Sequence, residues 1–385
     1  MTPTAIDTQT ERLATLAACA GDTPDLVIDL EVLRGNVNRI ATLAAAHCVC
    51  VRPHIKTHKL IQVARMQIDA GAVGIQVAKL GEAEVMVEAG ILDVLVGYPI
   101  VGKAKVERLI GLAERANITV SLDALEVARP IAEAAARRGA ELGFLIEIDT
   151  GLSRIGVAPG EEAVALAEAV AALPATSLAG VLTHEGHAYT RAGSEEELRA
   201  ITRQACESTV ATAVELRARG IAVPVISVGS SGTFRFAIEV EGVTEVRPGT
   251  YVFNDRTQIG LGAATPADVA AVVVATVVSA HRSGEVVLDA GSKALTSDRM
   301  ISKSAADTFG LVAGSDGSVG EIIRLSEEHA VASFPEDAAA PTVGERVAIV
   351  PNHICPVVNL FDKATVTLDG AVVDRWPVAA RGLLR

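Results

Sequence analysis

From residue 31 to about 255, short β-branched runs alternate with longer segments of helical period, and this alternation constrains the fold more than any other feature of the chain. The strand candidates are 49–56, 74–79, 93–98, 119–123, 143–149, 178–185, 225–231 and 245–253. Each is nearly continuously apolar, as parallel strands covered on both faces must be. Helical segments such as 58–70, 102–116, 124–139, 160–172 and 195–220 lie between them. Eight such repeats predict an α/β fold, a (β/α)8 TIM-type barrel. The competing layout is an open doubly wound sheet. No G-x-G-x-x-G follows the first strand, which argues against it.

The texture changes after residue 260. Strand-like runs at 269–280, 284–290, 345–351 and 364–376 are separated by Gly, Asp, Ser and Pro, and Asp369-Gly370 marks a hairpin turn. Residues 26–30 form another strand candidate ahead of the barrel. The expected organisation is therefore a barrel over 31–258, with 1–30 and 259–385 forming a mostly-β domain. The alanine-rich stretch 332–341 reads as a mobile loop. Hydrophobic residues make up 50% of the 385 and aromatics 3%, so both cores must be built from Ala, Val, Leu and Ile.

The net charge of −13 is spread along the chain, which argues against a nucleic-acid surface. The first residues lack a basic start followed by an apolar run, and the longest apolar stretch, Val269 to Ala280, is too short for a membrane span. Five cysteines fall at irregular spacings. A reduced, cytoplasmic protein is the expectation. Cys48 and Cys50, one residue apart on a strand, point the same way and are read as packing.

In a (β/α)8 barrel the chemistry sits at the C-terminal ends of the strands. Those ends carry His54, Lys56 and His58; Lys79; Tyr98; Asp123; Asp149 to Arg154; His184 and His187; Gly229 to Thr233; and Arg247 to Tyr251. Polar residues are nearly absent earlier in each strand, which points to an enzyme. Lys56 follows Val49, Val51 and Pro53, so burying it charged would be costly unless it is paired or has a lowered pKa. A lowered pKa suits an amine nucleophile that forms a Schiff base. The plainer alternative is a lysine reaching solvent from a strand end. A phosphate needs convergent N–H groups and hydroxyls, which Ser230-Ser231-Gly232-Thr233 and Pro248-Gly249-Thr250 offer on the last two strands.

The stretch Arg52-Pro53-His54-Ile55-Lys56-Thr57-His58-Lys59 resembles the cofactor-lysine motif of the D-threonine aldolase and D-serine dehydratase family, relatives of alanine racemase. Asp149-Thr150-Gly151-Leu152-Ser153-Arg154-Ile155-Gly156, Thr183-His184, Arg247-Pro248-Gly249 and Pro351-Asn352-His353-Ile354-Cys355-Pro356 follow in the family's order. The resemblance implies pyridoxal 5'-phosphate as cofactor, with Lys56 as the Schiff-base lysine. It implies Arg154 near the cofactor's phenolic side and His184 against its ring. Ser230, Ser231, Gly232, Thr233, Gly249, Thr250 and Tyr251 would hold the phosphate. Each has a plainer alternative: His184 as a core histidine, Arg154 paired with Asp149, Tyr251 as packing beside Phe253. His58 and His187 are candidate catalytic groups, and which histidine is the base stays open.

His353 and Cys355, one residue apart, suit a divalent metal with open positions, Zn²⁺ by donor type and Mn²⁺ or Mg²⁺ as further candidates. The family places a metal at the matching His-x-Cys or His-x-Asp pair. There it would bind the substrate's β-hydroxyl, for retro-aldol cleavage to glycine plus an aldehyde or for loss of water to a keto acid plus ammonia. His353-x-Cys355, His54-Ile55-Lys56-Thr57-His58 and Arg247-Pro248-Gly249-Thr250-Tyr251 lean toward the dehydratases. Gly229 to Thr233 and Lys79-Leu80-Gly81-Glu82-Ala83-Glu84 lean toward the aldolases, which are favoured narrowly. The expected partner is a small D-amino acid substrate, and the expected assembly is a homodimer. A non-catalytic pyridoxal-phosphate-binding barrel is the remote alternative, because such proteins lack the β domain and the His-x-Cys pair. A racemase is disfavoured, since all three tyrosines fall in the predicted barrel.

Overall fold

The computed structural model describes residues 3–301 and 307–385, with side chains from Glu11 onward. The chain divides into two compact units. Arg39–Lys56, Val63–Gly249 and Leu383–Arg385 form a barrel unit; Met1–Asn38, Thr57–Gln62 and Thr250–Gly382 form a sheet unit. The first strand, β1 (Asp25–Asp29), belongs to the sheet unit.

The barrel unit contains β2 (Cys50–Val51), β3 (Ile75–Val77), β4 (Asp93–Val96), β5 (Asn117–Leu122), β6 (Leu142–Glu147), β7 (Thr176–Leu182), β8 (Val225–Val228) and β9 (Glu245–Val246). They pair in parallel in the order β2-β9-β8-β7-β6-β5-β4-β3. A parallel bridge between His54 and Gln76, with the Gln76 N–H donating to Pro53 O at 2.8 Å, brings the two end strands together. All eight expected strands are present, and β2 and β9 have only two paired residues each. At Gly180 a side chain would put Cβ 1.9 Å from Val225 O, so β7 and β8 run too close for any residue but glycine. Helices over Leu80–Glu88, Lys103–Ala113, Leu125–Arg138, Glu161–Ala171 and Glu195–Ala218 connect the strands. The last begins where Ser194 accepts the Glu197 N–H.

The sheet unit adds β10 (Ala271–Arg282), β11 (Glu285–Leu288), β12 (Gly310–Ala313), β13 (Val319–Leu325), β14 (Ala330–Ser333), β15 (Arg346–Pro351), β16 (Lys363–Leu368) and β17 (Ala371–Pro377). Their order is β11-β14-β13-β12-β15-β10-β1-β16-β17, and β10 also pairs with β11, so six strands close on themselves. Residues Ala271 to Ala275 are fully buried, and each fully buried valine contributes about 1.5–3 kcal/mol. The Asp369-Gly370 turn has positive φ at both residues, as a tight hairpin requires.

Two features escaped the sequence. A helix over Pro3–Cys19 packs Leu13, Leu16 and Ala17 against Val27, Val272, Val274, Ala348 and Val350. Strands β12 to β14 fill 310–333, and the first residues of the expected alanine-rich loop are strand. Pattern failed there because β13 is half exposed and carries Arg324. Segment 57–62 groups with the sheet unit because Ala380 N donates to Lys59 O at 3.2 Å and Thr57 touches Cys355. Tyr251 likewise falls in the sheet unit and not in the barrel. Among the described residues, no helix is long and apolar enough to cross a membrane.

Candidate active site and candidate metal pair

Pro53 ends β2's extension, and a 3-10 turn over Ile55–Thr57 lifts Lys56 out at the strand end. Lys56 is exposed and not buried as the sequence suggested, so burial is not what marks it out. Its company does. Burial lowers the pKa of His54 well below the ordinary imidazole value, helped by the charges of Lys56 and Arg247. Burial does the same to His184, joined by Lys56, Arg154, Arg247 and His187. Both imidazoles are therefore neutral at pH 7 and sit within the electrostatic reach of Lys56 and Arg247. The Lys56 N–H donates to His54 Nδ1 at 3.4 Å. Gly186 allows the approach of His184, because a Cβ there would stand 2.9 Å from Nε2.

Arg247 is buried inside the barrel. Its Nη1 donates to Ser227 Oγ and its Nη2 to Thr183 O, both at 2.6 Å. Ser227 Oγ donates to Glu245 at 2.6 Å, and Glu245 accepts from Arg52 Nε at 2.8 Å. A buried cation of this kind needs such a chain of partners. Arg154 is exposed and stands 3.9 Å from Glu147, so its ion-pair partner is Glu147 and not Asp149. Asp149 instead accepts the N–H groups of Gly151 and Ser153 at 2.8 and 3.0 Å, shaping the turn that carries Arg154.

The 230–233 loop forms a compact cradle. Ser230 N donates to Thr233 Oγ1 at 3.0 Å, the two hydroxyls lie 2.8 Å apart, and Gly249 N donates to Ser231 Oγ at 3.1 Å. Two residues missed by sequence reasoning brace it. Tyr189 OH accepts from Gly232 N at 2.8 Å and lies 2.6 Å from Ser230 Oγ. The buried Glu185 accepts from Gly229 N at 3.2 Å and bonds Thr233 Oγ1. Both follow β7 in Thr183-His184-Glu185-Gly186-His187-Ala188-Tyr189. Tyr189 was overlooked because it lies on the short helix His187–Arg191, past the strand end.

His187 is buried, and its Nδ1 has no hydrogen-bond partner among the described residues. Such an orphaned ring nitrogen calls for an explanation. Burial lowers its pKa, with Arg191 assisting against Glu185 and Asp149. His58 has no exposed surface; its Nδ1 accepts the Leu60 N–H at 3.0 Å and its ring stands edge-on to Phe253. These contacts hold the chain after Lys56.

In the sheet unit, His353 takes the N-cap position of a short helix over Ile354–Val358, so a turn and a helix start bring it to Cys355. Burial opposes charge on both, but their mutual attraction prevails. His353 is raised to about 10, and the Cys355 thiol is lowered with help from Thr250 and Thr57. Thr57 Oγ1 lies 3.2 Å and Thr250 Oγ1 3.5 Å from Cys355 Sγ. Thr250 thus serves the cysteine, and Tyr251 is buried. Asp298 Oδ2 lies 2.9 Å from His353 Nδ1. The buried Asp255 is raised to about 6 by burial and accepts the Ile354 and Gln258 N–H groups. No third His, Cys, Asp or Glu completes a metal cluster among the described residues. A thiolate-prone cysteine beside an imidazole is a donor set that fits a divalent metal with open positions.

The family profile "Alanine racemase, N-terminal domain" matches residues 28–257, and "Putative serine dehydratase domain" matches 270–367. A D-threonine aldolase of Arthrobacter sp is 33% identical, the match covering 94% of each chain. A D-threo-3-hydroxyaspartate dehydratase of Delftia sp. (strain HT23) is 34% identical over 92% of this chain and 96% of that one. The crystal structure of D-threonine aldolase from Filomicrobium marinum superposes with a TM-score of 0.85 at 34% identity, covering 94% of this chain and 96% of that one.

Proposed function

We propose, since the chain belongs to the alanine racemase-like family of D-threonine aldolases and D-serine dehydratases, that it is a pyridoxal-phosphate- and divalent-metal-dependent lyase of D-3-hydroxy amino acids working by aldol cleavage. One observation carries this reading: the exposed Lys56 amine stands at the strand ends among Arg247, Arg154 and two imidazoles kept neutral. A site crowded with cations around an amine fits an anionic aldehyde cofactor, and the 230–233 cradle fits its phosphate.

Bound pyridoxal phosphate takes up the electron pair left on Cα when a bond there breaks, and a divalent metal acidifies a hydroxyl that it binds. The chain's own residues do the rest. Lys56 Nζ anchors the cofactor and accepts or returns the proton at Cα. Ser230, Ser231 and Tyr189 offer hydroxyls toward the phosphate, while the Gly232 N–H and the Thr233 hydroxyl, engaged with Tyr189 and Glu185, hold the loop in shape. His54 and His184, being neutral, flank the lysine without adding charge. His187 is the base assigned to the β-hydroxyl proton, because its Nδ1 is a buried ring nitrogen with no hydrogen-bond partner among the described residues. His353 and Cys355 hold the metal. Thr57, the next residue after Lys56, helps keep the cysteine a thiolate.

Dehydration is the second reading, favoured by the soft thiolate of Cys355. Incubation of the metal- and cofactor-loaded protein with D-threonine separates them. Cleavage gives glycine and acetaldehyde in equal amounts without ammonia. Ammonia with a keto acid and no glycine would establish the dehydratase reading, and comparable turnover of L-threonine would contradict both.

A further inference from the structure

The metal pair has a neighbour that the motif does not contain. Asp298 lies 55 residues before His353, in the loop after the short helix Ser292–Leu295, yet its Oδ2 meets His353 Nδ1 at 2.9 Å. The contact is built at two points. Asn352, the residue just before His353, donates its Nδ2 to the backbone oxygen of Asp298 at 3.1 Å and to Thr308 O at 2.6 Å. The Asp298 N–H in turn donates to Thr296 Oγ1 at 3.2 Å, at a residue with φ of 63°. Backbone and side chain of Asp298 are thus tied to consecutive residues, Asn352 and His353. The adjacent cation Arg299 is engaged with Asp307, which leaves the Asp298 carboxylate to the imidazole.

We propose that Asp298 is a positioning residue for the metal ligand His353, holding Nδ1 as the protonated nitrogen so that Nε2 is presented to the ion. The two ring nitrogens face different ways, and the hydrogen bond made by one decides which of them is free to ligate. A carboxylate on the far nitrogen fixes ring orientation and strengthens the imidazole as a donor. Asp298 is bonded at Nδ1 and is assigned to orienting the ring, not to binding the ion. This rests on the reading of His353 and Cys355 as metal ligands.

The test uses the full chain loaded with cofactor, stripped of metal, and titrated with Zn²⁺ against a coloured chelator and separately with Co²⁺. Wild type should give a thiolate-to-cobalt absorption band. Asp298→Ala should show the same band, reached at a metal concentration higher by about 10–100-fold, the usual cost of losing such a partner. Asp298→Asn, whose amide oxygen still accepts from Nδ1, should lose less. Excess metal should restore the turnover of both to near wild type. Zinc affinity within about twofold of wild type in Asp298→Ala would overturn the proposal, and so would a changed cobalt band, which would make Asp298 a ligand. Wild type that takes up neither metal would overturn the metal reading itself, a result distinct from those two.

Discussion

Histidines in the two units are pushed in opposite directions. In the barrel, His54 and His184 are lowered well below the ordinary value by burial and by the charges of Lys56 and Arg247, with Arg154 adding to the effect on His184. In the sheet unit, His353 is raised to about 10 by Cys355, Asp255 and Asp298 despite its burial. One site concentrates positive charge and the other negative charge. The first suits an anionic cofactor and the second a cation, and neither suits the other's occupant. Burial sets the cost of ionisation, while the sign of the neighbours decides whether that cost is met.

The largest effect that bears on this contrast is removal of the cation. On the proposed reading, a strong chelator or His353→Ala should bring turnover to background, because the first removes the ion and the second leaves Cys355 as its single proposed ligand among the described residues. Cofactor absorbance and the thermal melt should barely move, since closed four-ligand sites are the ones that hold folds together. Unfolding on chelation, or undiminished turnover, would erase the distinction between the two sites.

A smaller loss is expected from His187→Ala, which should lower kcat by about 10²–10⁴-fold, the usual range for removing a general base. Cofactor and metal binding should be retained. An unchanged kcat with a raised KM would make His187 a binding group.

The smallest effect is in stability and ionisation. An unfolded histidine titrates near 6.5. The folded barrel holds His54 and His184 below that value, so between the two values the unfolded chain binds protons that the folded one refuses. Their contribution is intact above about pH 6.5 and is lost as pH falls toward the folded values. The melting temperature of the cofactor-free protein should drop across that window. In the NMR spectrum of metal-free protein at pH 8, His353 should appear protonated while His54 and His184 stay neutral down to pH 6. A shared midpoint near 6.5 for all three would break the comparison.

The same contrast explains what was legible in the sequence. Strand ends of a parallel barrel converge by topology, so Lys56, His184 and Ser230 to Thr233 could be singled out from position alone. Tyr189 and Glu185 could not, because one sits on the short helix beyond its strand and the other is a carboxylate buried where the pattern expects none. In the sheet unit the pair His353 and Cys355 was visible through its motif. Asp298 was not, because a loop contact across 55 residues leaves no period to read. The burial argument for Lys56 failed for a related reason: the turn after Pro53 turns its side chain outward, which apolar neighbours in sequence do not reveal.

Whether Lys56 carries the cofactor is decided by borohydride reduction of the cofactor-loaded protein followed by peptide mapping. Reduction should remove the visible absorbance and leave a stable adduct on the peptide containing Lys56, with no adduct in a folded Lys56→Ala variant. An adduct on Lys79 or Lys293 instead, with Lys56 unmodified, would contradict it.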